Sequence, residues 1–224
     1  LNTNELYGRN LTAGALDVMG QYYSVASSSH AFYNYGGLVY TGNDEKALFD
    51  NMWQKCYAVI ACCNTIIEKC DENKAGLSPV WRGSIKGEAL ALRAMLHFDM
   101  LRLFGPLTSE LDKESIPYQT NSDQTVTPLL SGSEVVGLIL DDLKNAVGLL
   151  KDTDPYFVEE EFSDTDLNYR RFRMNYFAAK GLMARVQLWG GDKEKAAATA
   201  KEVIAEGQAE GAEFFPFVTN SEAT

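Results

Sequence analysis

Residues 43–70 read NDEKALFDNMWQKCYAVIACCNTIIEKC, and the fold turns on how this run is read. Apolar side chains recur at Leu48, Met52/Trp53, Cys56/Tyr57, Ile60, Cys63 and Ile66/Ile67. That three-and-four spacing is the mark of an amphipathic helix. Asn43 or Asp44 supplies its cap. Four cysteines, Cys56, Cys62, Cys63 and Cys70, fall inside the same run. On a helix Cys56, Cys63 and Cys70 stand about 10 Å apart along the axis, beyond disulfide reach, and Cys62 and Cys63 point to different faces. The paired spacing and histidine partners of a zinc site are missing. The cysteines are therefore expected to be small buried hydrophobes on a packing stripe.

Outward from this helix, Gly76 reads as a stop and Pro79 as the first-turn residue of a second helix to about Arg102. Its expected stripe is Trp81, Ile85, Glu88/Ala89, Leu92, Met95/Leu96, Asp99 and Leu103. The two helices lie close in sequence and predict an antiparallel hairpin over 43–104. Gly105-Pro106 closes it, and Pro117 and Pro128 keep residues 105–130 extended and irregular. Ser131-x-x-Glu134 is a capping box, opening a helix over 131–150. The acidic stretch Asp152–Tyr169 reads as a surface loop. Helix resumes near Arg171, and Gly190-Gly191-Asp192 turns the chain into a last helix ending at Gly207. In this pair, 171–207, Ala184, Gly191 and Ala196 occupy the small-residue positions of a tetratricopeptide-like unit. The expected fold is all-α, with tetratricopeptide-like helix pairs packed as a right-handed helical-repeat domain with long irregular loops.

Composition narrows the functional classes. The 224 residues are 46% hydrophobic and 23% charged, a globular balance. Their net charge of −11 argues against a nucleic-acid partner and favours a neutral or cationic one. No run is long and apolar enough to span a membrane, and Leu1-Asn2-Thr3-Asn4-Glu5 has no signal-peptide pattern. The two histidines, His30 and His97, sit in no catalytic or metal motif, and His97, inside the second helix, reads as structural. Asp164-x-Asp166-x-Asn168 resembles the opening of a calcium loop, but Tyr169 replaces its glycine and Asn175 its closing glutamate. These residues are expected to cap the next helix. Neither metal nor cofactor is expected.

The most informative stretch for function precedes the first long helix. Tyr22, Tyr23, Phe32, Tyr33, Tyr35 and Tyr40 alternate with Ser27-Ser28-Ser29, Asn34 and Gly36-Gly37. Tyr, Ser, Gly and Asn make adaptable recognition loops, in which tyrosine offers a flat face and a hydroxyl at low entropic cost. The competing reading of each ring is burial against the helices.

Four phrases, in order, resemble the SusD/RagB family of outer-membrane nutrient-binding lipoproteins. They are Trp53-x-x-x-Tyr57-x-x-Ile60-x-x-x-Asn64; Gly87-Glu88-Ala89-x-Ala91-Leu92-Arg93-Ala94 with Phe98 and Leu103-Phe104-Gly105; Asp142-Leu143-x-x-Ala146; and Asn175-x-x-Ala178-Ala179 with Ala184-Arg185-Val186-x-Leu188. The resemblance covers residues 44–206 and implies four pairs of tetratricopeptide-like helices. It further implies non-catalytic binding of oligosaccharides or related nutrients on the cell surface and delivery to a TonB-dependent, SusC-like transporter. Attachment would be through an N-terminal lipid, whose cysteine this chain does not contain. Residues 1–224 are then expected to be the helical N-terminal part of a longer protein, with the apolar run Glu213–Val218 packing against sequence beyond it. Trp53, Tyr57, Asn64, Glu88, Arg93 and Arg185 are expected to be structural, with Asn64, Arg93 and Arg185 needing buried partners. By position, the resemblance places Asp17, Gln21, Tyr22, Tyr23, Tyr33 and Tyr35 in the ligand-binding loops. The alternative function is a helical-repeat scaffold for a protein or peptide; an enzyme such as a glycoside hydrolase has only scattered carboxylates in its favour.

Overall fold

A computed structural model describes residues 1–123, 125–158, 162–163 and 169–208. The chain forms two compact units, Leu1–Cys62 and Cys63–Thr224. The first holds two short helices, α1 (Ala15–Met19) and α2 (Tyr33–Gly36), and the opening turns of the long helix α3 (Asn43–Glu72). The second holds the end of α3, α4 (Pro79–Phe104), α5 (Gly132–Thr153), α6 (Tyr176–Trp189) and α7 (Lys193–Gly207). The predominantly helical class expected from the sequence is the class observed.

Helix α3 buries Met52, Cys56, Ile60, Cys63, Ile67 and Cys70 along one stripe. Three of its cysteines are buried and Cys62 is exposed. Within the second unit, α3 and α4 run antiparallel: Asn64 meets Arg93, and Asp71 meets Lys86 nearer the turn. Ser78 caps α4 by accepting from the Trp81 amide at 3.3 Å, with Pro79 in the first turn. Helix α4 then packs along α5, α5 against α6 and α6 against α7. Gly87 allows the close approach to α5, because a Cβ there would stand 2.7 Å from Leu150 Cγ. Sequential neighbours packing in this way are the helical-repeat arrangement.

Several boundaries and faces differ from expectation. Helix α4 has no narrow stripe: Leu90, Ala94, Phe98 and Leu101 are fully buried, while Ile85, Leu92 and Met95 are only half-buried. Neighbours on several sides override the period that a two-sided helix would show. Residues 105–130 are not wholly irregular, since β1 (Glu114–Pro117) and β2 (Leu129–Ser131) pair antiparallel, with the register Glu114↔Ser131 and Pro117↔Leu129. The capping box forms as read: Ser131 Oγ accepts from the Glu134 amide, and the Ser131 amide donates to Glu134 Oε2 at 2.8 Å. That helix continues to Thr153.

The helix expected from Arg171 begins instead at Tyr176. Asp154, wholly buried, accepts from Arg170 Nε and Nη2 and from the Tyr176 amide at 2.6–3.0 Å, which fixes a turn ahead of the helix. Asn175 then caps it through the Ala178 amide. At the α6–α7 turn Gly191 adopts φ +92° and Asp192 caps α7 by accepting from the Lys195 amide. Ala184 and Ala196 are buried there, as a close helix pair requires. Arg185 corrects the sequence reading: it is exposed, lying against the Phe98 ring at 5.8 Å, and is not a buried cross-link. The calcium-like residues Asp164, Asp166 and Asn168 and the apolar run 213–218 lie outside the described residues.

Candidate functional site

The first unit carries two clefts that share one wall, Tyr23-Ser24-Val25. The first, of about 420 Å³, is lined also by Gln21, Tyr33, Asn34 and the Gly36-Gly37 turn. The second, of about 540 Å³, is lined also by Val18, Ser27, His30 and Phe32. Both volumes fall within the range of small-molecule sites.

The backbone around the clefts is held under local strain. Gln21 has φ +63° and Leu38 φ +55°, a region that side-chain-bearing residues seldom enter and where each costs about 1–2 kcal/mol. Gln21 is fixed there by its own amide, whose Nε2 donates to Gly36 O at 2.9 Å and to Val18 O at 3.4 Å. Both amide hydrogens are thereby engaged, and Oε1 is left to accept. Asn34 is steadied by donating to Glu45 Oε1 at 2.8 Å. Strained backbone held by side-chain bonds is a recurrent property of ligand clamps.

The structure separates the six candidate binding residues. Gln21, Tyr23 and Tyr33 meet at the first cleft, and the rings of Tyr23 and Tyr33 are 54% and 42% exposed. Tyr22 is 80% exposed but lines neither of these clefts. Asp17 is half-buried in the first turn of α1 and likewise lines neither. Tyr35 is a correction: at 2% exposure its ring packs among Phe32, Tyr40 and Phe49. Burial, with Glu45 and Asp44 nearby, pushes its hydroxyl up to about 12. Tyr33 and Tyr35 sit two apart on one helical turn, so they face opposite ways. Sequence reasoning missed Ser24, Asn34 and His30, although the alternation of Ser, Asn and Tyr around them was the available clue.

The residues expected to be structural form a separate polar hub in the second unit. Arg93 donates to both carboxylate oxygens of Asp142, through Nε to Oδ2 and Nη2 to Oδ1, each at 2.7 Å. Its Nη1 donates to Asn64 Oδ1 at 2.8 Å and to Thr120 O at 3.2 Å. Tyr118 donates to Asp142 Oδ2 at 2.6 Å and stacks on His97 at 3.9 Å. His97 Nε2 accepts from the Gln119 amide at 3.0 Å, so its Nδ1 carries the proton and donates to Arg93 O. Burial forces the His97 imidazole down to about 3, so it is neutral. Burial alone would weaken the charge on Arg93, but the Asp142 carboxylate outweighs it and raises the guanidinium further. The hub ties the end of α3, α4, α5 and the segment that follows β1 together. Glu88 accepts from Arg170 Nη1 at 2.7 Å, and Trp53 lies on Tyr57 at 4.7 Å, as packing residues. No group of three His, Cys, Asp or Glu among the described residues is placed to hold a metal, and no helix among them is long and apolar enough to cross a membrane.

The second unit is a body of sequentially packed helices, and the first carries aromatic, polar-lined clefts. Comparison with known proteins gives the family: a family profile described as "Starch-binding associating with outer membrane" matches residues 14–188, and the chain belongs to this SusD-like family. A SusD-like protein, P38, of Formosa agariphila is 34% identical over 96 residues, 42% of this chain and 17% of that protein. A SusD-like protein of Bacteroides ovatus is 30% identical over 146 residues, 63% of this chain and 23% of that protein. The chain thus aligns to about a fifth of these relatives' length. A solved structure with xylogluco-oligosaccharide superposes with a TM-score of 0.60 at 21% identity, over 88% of this chain and 36% of that one, which shows the shared fold.

Proposed function

We propose that this chain is part of a non-catalytic binding protein that captures oligosaccharides at the bacterial outer membrane. The observation that carries this reading is the first cleft, where the exposed faces of Tyr23 and Tyr33 flank Gln21, Ser24 and Asn34. Aromatic faces present negative potential to the polarised C–H bonds of a sugar ring, while amides and hydroxyls take up its hydroxyl groups. The family description and the solved relative with xylogluco-oligosaccharide support the ligand class. In family members such capture delivers the glycan to a TonB-dependent, SusC-like transporter from a lipid-anchored position on the cell surface; we extend that partner and location to this protein by membership. Titration of the full chain with soluble oligosaccharides by calorimetry tests the reading. Tyr23→Ala with Tyr33→Ala is expected to abolish the binding heat while leaving the helical circular dichroism unchanged. Unchanged affinity in that double variant would refute the assignment of the cleft.

A further inference from the structure

We infer that the two clefts are adjacent subsites of one groove for an uncharged oligosaccharide long enough to cross Tyr23, with His30 as a fixed hydrogen-bond donor in the second subsite. This rests on the glycan reading and deepens it in length, charge and a named contact.

The shared wall comes first. Tyr23, Ser24 and Val25 line both clefts, so a molecule leaving one passes over this short ridge into the other. A half-exposed tyrosine on that ridge offers its face to a sugar unit bridging the two sides. A monosaccharide fills only one side; a chain of linked rings collects contacts in both.

The charge follows from the lining. Neither cleft is lined by an Asp, Glu, Lys or Arg, although the whole chain carries 31 acidic and 20 basic residues. Polar contacts come instead from Gln21, Ser24, Asn34, Ser27 and His30. A carboxylated or sulfated glycan would meet no cation in either lining, Arg9 lying over the Phe32 ring at 5.5 Å without joining the lining, and would enter against a net charge of −11. A neutral chain pays neither cost.

The donor follows from His30. The Phe32 backbone N–H donates to His30 Nδ1 at 3.1 Å. A backbone N–H cannot accept, so Nδ1 is the unprotonated nitrogen and the ring proton resides on Nε2. The turn thereby selects the tautomer, leaving Nε2–H as a directional donor on a ring that lines the second cleft. The tilted packing of the ring on Phe32, at 5.8 Å, restricts its rotation.

His30→Asn separates the donor from the turn, because the asparagine Oδ1 can still accept from the Phe32 N–H while nothing replaces Nε2–H. Calorimetry of the full chain is run with maltoheptaose, cellohexaose, a xyloglucan heptasaccharide and hexagalacturonate. At least one neutral probe is expected to bind and hexagalacturonate not to. The same neutral probe should be weakened about 3- to 10-fold by His30→Asn, the range of a single hydrogen bond, and independently by Tyr33→Ala in the other cleft. Helicity should be unchanged in both variants. Binding of hexagalacturonate, or neutral binding indifferent to His30→Asn, overturns this inference and leaves the glycan reading standing. Silence of all four probes overturns both.

Discussion

Arg93→Met tests the hub that joins the helices of the second unit. The substitution keeps most of the apolar stem and deletes a guanidinium making four hydrogen bonds, two to Asp142, one to Asn64 and one to Thr120. What remains is a carboxylate with 10% side-chain exposure to which Tyr118 alone among the described residues still donates, beside an Asn64 amide oxygen that has lost Arg93 at 0% exposure. Removing one member of a buried ion pair costs about 3–5 kcal/mol, mostly the desolvation of the charge left behind. For a chain of this size about 2–4 °C is lost per kcal/mol, so melting should fall by roughly 6–20 °C. Urea unfolding followed by circular dichroism gives the free energy directly. The double variant Arg93→Met/Asp142→Leu removes the stranded charge and should recover part of the loss, though not all, because Tyr118 then lacks its acceptor. A single variant within about 1 kcal/mol of the parent, or a double variant no more stable than the single, would refute the reasoning.

Further outcomes follow from other sites. His97 is held neutral down to about pH 3 when folded, against 6.5 as its ordinary value, so unfolded chains bind the extra proton. Its contribution is complete above pH 6.5 and is lost as pH falls toward 3, at about 1.4 kcal/mol per unit; His97→Gln should flatten that slope in urea titrations. Gly87→Ala drives a methyl into Leu150 and should destabilise by about 1–2 kcal/mol despite the better helix propensity, as thermal unfolding would show. Tyr35→Ala should lower stability by about 3 kcal/mol or more through its buried ring, whereas Tyr23→Ala should leave stability intact and weaken glycan binding. Asp154→Ala leaves the buried Arg170 with Glu88 as its ion-pair partner and takes the acceptor from the Tyr176 amide, and should cost about 2–3 kcal/mol in the same assay.

The helices were readable because their cues are local. Ser131 with Glu134, Pro79 after Ser78, and the spacing of Cys56, Cys63 and Cys70 each specify structure within a turn or two. Partners across the chain were not: Asn64 and Arg93 announced a need for buried company, but Asp142 and Tyr118 lie far along the sequence, and nothing local couples them. Helix α4 misled because periodicity marks a helix with a wet side, and its neighbours leave little of one. Arg170 and Asp154 displaced the start of α6 for the same non-local reason. Composition singled out the segment that lines the clefts but could not sort its tyrosines, since a single turn of helix sends Tyr33 outward and Tyr35 inward. His30 carries no such local cue, because its tautomer is set by the Phe32 backbone amide, a contact that residue order does not show.

The bond from the Gln119 amide to His97 has a consequence for motion. Residues 118–122 follow a strand and would ordinarily exchange their amide hydrogens with solvent through small local openings. Releasing Gln119, however, unseats Tyr118, Thr120 and Asn121, which Asp142, Arg93 and Asn64 hold, and so strips the buried Arg93–Asp142 pair of its further hydrogen bonds. A loop tethered in this way opens only when α3, α4 and α5 come apart. Its Gln119 amide should therefore exchange as slowly as the middle of a helix, on the clock of global unfolding.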